Sequence, residues 1–307
     1  MNMELPQGDA IGLLPSAKYN VAGLFLWSPL LYQFREMIYD KFGYQLPIKY
    51  LYGAPKLKWN GGRLNLHNAA SDFSIQNVKS ELYAARENDI TPLLTFSNSL
   101  ITEEDLSDKN GNAALQLLDE VKGAAIVTSP LLKDYIAERY PDMPLHASVI
   151  LTSYRNCRDV AYYKGLSDEY DHYVIHPDDN FNAQLLKECP KHNAEILLNE
   201  RCSYDCALRR LHYESVCVEQ KDQVDGHYRD RKFLNICNAL PEHKQLKTKW
   251  RNLSFAVSEL RVINDMGYTL FKIQGRTDSP FLFFFDLMRY TLEPDIAFPT
   301  AYVVFIF

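Results

Sequence analysis

A chain of 307 residues, 47% hydrophobic and 23% charged, can bury a large core and is too apolar for a disordered chain. Its formal net charge of −6 argues against a general polyanion binder, although a local basic patch could still hold RNA. The first 15 residues show no basic start followed by an apolar run, and no stretch approaches the ~18 consecutive apolar residues of a membrane helix; the expectation is a cytoplasmic protein without membrane association.

Short β-rich runs recur along the chain at 21–27, 48–52, 91–96, 124–128, 146–151, 173–176, 195–199 and 268–273. Helical periodicity lies between them, at 29–42, 71–86, 130–139, 182–188 and 253–266. Several strands are nearly continuous apolar runs, which suits parallel strands covered on both faces. Repeated strand–helix alternation means a parallel sheet, either closed or doubly wound. No glycine-rich phosphate loop of either common type occurs, so the closed form is favoured. The expectation is a single (β/α)8 barrel over residues 1–307, with its core at about 20–280 and a C-terminal extension at 281–307.

Such barrels do chemistry at the carboxyl ends of their strands. Those positions carry Ser97, Asn98 and Ser99; Thr128 and Ser129; His176, Asp178 and Asp179; Asn199, Glu200 and Arg201; and Gln274 with Arg276. Ser, Asn and Asp after a strand are also ordinary caps: Asp178 or Asp179 could cap the helix from 182, and Thr128 or Ser129 the one from 130. Glu200 and His176 stand out, one beside a cysteine cluster and the other fixed by Pro177. Glu200, His176 and Asp178 are the candidate proton carriers; Asn98, Asn199 and Arg276 are the candidate substrate contacts.

Four of the six cysteines, Cys202, Cys206, Cys217 and Cys237, fall within 36 residues. Without a secretory signal they read as metal ligands or catalytic groups, not as disulfides. Cys202 and Cys206 share one face if the segment is helical. Four thiolates suit zinc or an iron–sulfur cluster, and the loose second half of the spacing leans toward the cluster. Cys157 and Cys189 read as buried fillers. Arg209, Arg210 and His212 could balance or complete the centre, but exposed helix positions are the simpler reading.

Residues 196–213, ILLNERCSYDCALRRLHY, resemble the signature region of the collagenase-like peptidase family U32. The likeness continues in 50–63, YLYGAPKLKWNGGR, in 95–99 and in 270–276, LFKIQGR. The resemblance implies a β/α barrel whose four cysteines hold a [4Fe–4S] cluster. It maps Cys202 and Cys206 onto the family's close pair, with Cys217 and Cys237 as the remaining matches. Family members are named as peptidases, and several act in oxygen-independent hydroxylation of RNA bases or of a quinone ring. This chain departs from the family in its sparser cysteines and in lacking the C-terminal extension domain.

Three functions follow. The first is a cluster-dependent enzyme acting on a small molecule or an RNA base, with an electron donor as a further partner. The second is a metal-assisted hydrolase, for which neither H-E-x-x-H nor a G-x-S-x-G elbow is present. The third is a non-catalytic, cluster-bearing subunit of a homo- or hetero-oligomer, for which the apolar run 301–307 could dock, although a last buried strand is the preferred reading of that run. Radical chemistry with S-adenosylmethionine is set aside, because it uses a tighter cysteine run and position 209 is Arg.

Overall fold

A computed structural model describes residues 7–62, 73–154, 158–224, 253–275, 279–297 and 299–300. Eight parallel strands form one sheet: β1 (Lys18–Ala22), β2 (Ile48–Gly53), β3 (Thr91–Phe96), β4 (Ala124–Val127), β5 (Leu145–Ala147), β6 (Tyr173–Ile175), β7 (Ala194–Leu197) and β8 (Leu270–Ile273). Their order is β5-β4-β3-β2-β1-β8-β7-β6, all in parallel register. The outer strands β5 and β6 meet through the parallel bridge His146↔His172, supported by Ala147 N–H to the His172 carbonyl at 2.8 Å. The sheet is therefore a (β/α)8 barrel, with its seam between β5 and β6.

The helices are α1 (Ser28–Phe42), α2 (Ile75–Glu87), α3 (Lys109–Glu120), α4 (Pro130–Arg139), α5 (Val149–Thr152), α6 (Val160–Glu169), α7 (Ala183–Glu188), α8 (Arg209–Val224), α9 (Val257–Asp265) and α10 (Pro280–Thr291). Local chemistry sets their starts. Ser129 accepts from the Leu132 amide and Pro130 opens α4; Asn182 accepts from Leu185 at the start of α7. Asp178 and Asp179 are thus left free of capping duty.

Two strands are displaced from the sequence expectation, and the backbone shows why. The first strand runs Lys18–Ala22 and stops at Gly23, whose φ of 115° turns the chain away. The fifth strand ends at Ala147, because the Ser148 hydroxyl accepts from the Ile150 amide and starts the single turn of α5. At the mouth, a Cβ on Gly61 would lie 2.0 Å from the Ser97 carbonyl oxygen, so only glycine lets the loop after β2 close on the end of β3.

Apolar residues fill the space between strands and helices: β4 is buried throughout, and α1 packs Leu31, Phe34 and Ile38 inward. The lumen is different. Asn20 of β1 donates to Glu195 Oε1 of β7 at 2.7 Å, and Lys272 of β8 meets Glu195 Oε2 at 3.0 Å. The Lys272 ammonium also lies 4.6 Å from the Tyr52 ring centroid. A charge pair so deep persists because each partner is also hydrogen-bonded or packed on a ring. Among the described residues no helix is long and apolar enough to cross a membrane.

Candidate active site at the barrel mouth

The chain leaves β7 at Leu197 and comes back to the same place, where the Phe255 amide donates to the Leu198 carbonyl and Asn199 bridges Ser254 antiparallel. The described part of this excursion, residues 200–224, lies on the carboxyl face of the barrel. It carries Glu200, Cys202, Cys206 and α8. With 16 residues, α8 is about 24 Å long, enough to cross an eight-stranded barrel. One end meets β6: Arg209 reaches His176 and Asp178. The other meets the β2 and β3 ends, through Gln220 with Asn60 at 3.4 Å, Cys217 with Ser99 at 3.5 Å, and Lys221 with Asp105 at 2.7 Å. The helix lies across the mouth.

Arg209 organises the β6 side. Its Nη1 and Nη2 donate to Asp178 Oδ2 and Oδ1, both at 3.0 Å, a fork on a carboxylate. Nη2 also donates to the Ser203 carbonyl at 2.7 Å, and Nη1 lies 2.8 Å from His176 Nε2. Burial and the Arg209 and Arg158 guanidiniums push the His176 pKa down to about 2, so the imidazole is neutral. Its Nε2 therefore accepts from Arg209, while Nδ1 sits 3.5 Å from Asp178 Oδ2. Asp179 forms a second locked carboxylate, accepting from Arg158 Nε at 2.7 Å and the Tyr163 hydroxyl at 2.6 Å.

Glu200 is buried at the end of β7, where its Oε1 accepts from the amides of Arg201 and Cys202, each at 2.7 Å. Oε2 takes no part in those two bonds. The next two cysteines are half-buried and form no disulfide, and the Cys202 and Cys206 thiols are hydrogen-bonded to each other. That bond and burial raise the Cys202 pKa, and the positive charge of Arg209 works in the opposite direction. The turn between them places Asp205 at a φ of 46°, so the two thiols meet through a tight turn rather than on one helical face.

The remaining candidates are spread more widely. Cys217 is fully buried on the inner face of α8, against Ser99 and away from the thiol pair. Asn98 is spent on the scaffold: its amide donates to the Lys58 carbonyl at 2.7 Å and its Oδ1 accepts from the Leu100 amide at 2.9 Å. Asn199 is spent likewise, tying the β7 end to Gln274 and to Asp286 of α10. Cys237, Arg276 and Cys157 lie outside the described residues, as does the run 301–307. Among the described residues no group of three His, Cys, Asp or Glu side chains could hold a metal ion. Cys202 and Cys206 thus form a pair of thiols, and a four-thiolate centre would need ligands beyond it.

Arg209 is the residue that sequence reasoning undervalued. A cation in the first turn of a helix opposes the helix dipole, and that cost signals a partner elsewhere in the fold. Asp178, three residues beyond the end of β6, is that partner.

No family model matches the chain, and no curated protein matches it. Solved structures do. The structure of the U32 peptidase Mk0906 is similar over 91% of this chain and 96% of its own, at 10% identity and a TM-score of 0.52. A xylose isomerase domain containing protein from Salmonella typhimurium is similar over 87% and 90%, at 11% identity and a TM-score of 0.41. The likeness to the U32 peptidase is one of fold: it supports the barrel and a distant U32-like architecture.

Proposed function

We propose that the chain is a barrel enzyme whose reactive centre is the Cys202–Cys206 pair at the carboxyl face. The observation that carries this reading is the meeting of two half-buried thiols beside a buried guanidinium and a buried carboxylate, on the face where barrels work.

The pair would hold an iron–sulfur cluster. Cys202 and Cys206 supply two thiolates, Cys237 is the third that the sequence offers, and Cys217 would have to turn from Ser99 to become the fourth. Arg209, buried in the same site, would offset the cluster's negative charge. Such a cluster supplies one-electron transfer or a Lewis-acid iron for a substrate oxygen. Zinc is the alternative occupant of the same thiolates.

The chain's own residues then divide the work. Glu200 moves the proton, because its second oxygen is outside the two amide bonds that hold the first. Asp178 and His176 act as positioning residues. Asp178 is fixed by the Arg209 fork, and a neutral imidazole with a pKa near 2 cannot store a proton at neutral pH. α8 covers the mouth and keeps water from it. The substrate is a small polar molecule or an RNA base, and the reaction class carried by the family resemblance is oxygen-independent hydroxylation. The hydrolase reading rests only on the name of the U32 peptidase whose fold is similar.

Anaerobic purification followed by visible absorption and electron paramagnetic resonance tests the reading. Broad charge-transfer absorption that bleaches with dithionite and gives a paramagnetic signal supports a cluster. A colourless protein carrying stoichiometric zinc would sink it.

A further inference from the structure

The seam of the barrel carries a second cluster of metal-ligating side chains, separate from the mouth. His146 of β5 and His172, just before β6, are the two residues of the parallel bridge that joins those strands. Their ring centroids lie 4.5 Å apart. Tyr50 of β2, three strands from β5, meets both: its ring centroid is 4.9 Å from His146 and 5.6 Å from His172, and its hydroxyl is 3.1 Å from His172 Nε2. Side chains from strands so far apart in the sheet can touch only across the lumen.

The hydrogen bonding of the two rings is unequal. His172 Nδ1 lies 3.3 Å from the Asn193 carbonyl, so this nitrogen carries the hydrogen and Nε2 keeps its lone pair, now accepting from Tyr50. A carbonyl behind Nδ1 is the arrangement that orients metal-bound histidines, and a metal would take the Nε2 lone pair in place of the Tyr50 hydrogen. His146 is 3% exposed, and neither of its ring nitrogens has a hydrogen-bond partner. A buried polar atom without a partner is costly and rare in a settled core. Burial lowers the pKa of both imidazoles, helped at His146 by His172, Lys272 and Lys49 and at His172 by Lys49. At His172 the Glu195 and Asp171 carboxylates oppose the Lys49 charge.

We propose that His146 and His172 bind a divalent transition-metal ion of the zinc type, with the Tyr50 oxygen alongside, and that the ion staples β5 to β6. Imidazole suits zinc, cobalt, nickel and copper. This seam site stands whether or not the mouth holds a cluster.

The test uses zinc and cobalt(II) chlorides on the Cys202→Ala/Cys206→Ala chain, which removes the thiol pair as a competitor. One equivalent of cobalt should bind with d–d bands and no thiolate charge transfer, and zinc at a hundredfold excess over its Kd should raise the unfolding midpoint by about 5–10 °C. His146→Leu and His172→Gln in that background should each abolish both effects. Unchanged metal stoichiometry and unchanged midpoint shift in those variants would overturn the proposal. If a substitution prevents folding, carbethoxylation of His172 in the Cys202→Ala/Cys206→Ala chain decides: zinc protection supports the site, and equal modification with and without zinc refutes it.

Discussion

Arg209→Met takes away the guanidinium that holds the β6 side of the mouth together. Arg209 and Asp178 have side chains only 6% and 10% exposed, so the substitution strands a carboxylate and leaves the Ser203 carbonyl without its donor. Breaking one partner of a buried pair costs about 3–5 kcal/mol. Arg158, 4.0 Å from Asp178, remains as a weak substitute partner and places the loss toward the low end. At about 2–4 °C per kcal/mol for a large domain, the unfolding midpoint should fall by roughly 10 °C. Asp178→Leu should cost a similar amount, because it strands the guanidinium. The double variant removes both charges, and its loss should fall about 2–3 kcal/mol short of the sum of the singles. Urea unfolding of the parent, both singles and the double closes the cycle. Singles that each cost under ~1 kcal/mol and simply add would show that the fork does not hold the site.

Three further outcomes follow from the geometry. His176 has a folded pKa near 2 against an ordinary value of 6.5, so the unfolded chain takes up its proton first as the pH drops; stability should be full above pH ~6.5 and decline below it by up to about 1.4 kcal/mol per pH unit toward pH 2, and urea unfolding that is as strong at pH 5.5 as at pH 7.5 would contradict this. Lys272→Met leaves the Glu195 carboxylate in the lumen with Asn20 alone, a loss of about 3–5 kcal/mol that Lys272→Met/Glu195→Gln should largely recover; a double variant no more stable than the single would refute the pairing. Lys221→Met frees the far end of α8 from Asp105 at a global cost of about 0.2–1 kcal/mol, yet should raise the labelling rate of Cys217 severalfold over that of the core thiol Cys189; an unchanged ratio would mean that α8 does not open by itself.

The barrel was legible because its signal is local and repeated. Runs such as Thr91–Phe96 and Ala124–Val127 are apolar on both faces, and only a covered parallel sheet accommodates them. What periodicity could not settle were places where one polar side chain decides, as where Ser148 ends β5. The site was legible in part. Glu200, Cys202 and Cys206 sit together because they are near in sequence, and a turn suffices to gather them. Arg209 with Asp178, 31 residues apart, and Cys217 with Ser99, 118 apart, depend on α8 crossing the mouth, which no local pattern encodes. Asn98 and Asn199 illustrate the reverse: amides at strand ends look like substrate contacts, yet backbone groups nearby consume them. The polar lumen was hidden for a similar reason. His146, Glu195 and Lys272 each look like a lone interruption of an apolar strand until the closed barrel sets them opposite one another.

The central claim, that Cys202 and Cys206 hold the reactive centre, is tested most directly by iron and acid-labile sulfide analysis of the anaerobically purified chain beside Cys202→Ala. The account predicts about four irons and four sulfides per parent chain and their loss in the variant, with the barrel's circular dichroism retained. Iron that stays bound in Cys202→Ala, or zinc alone in the parent, would contradict it.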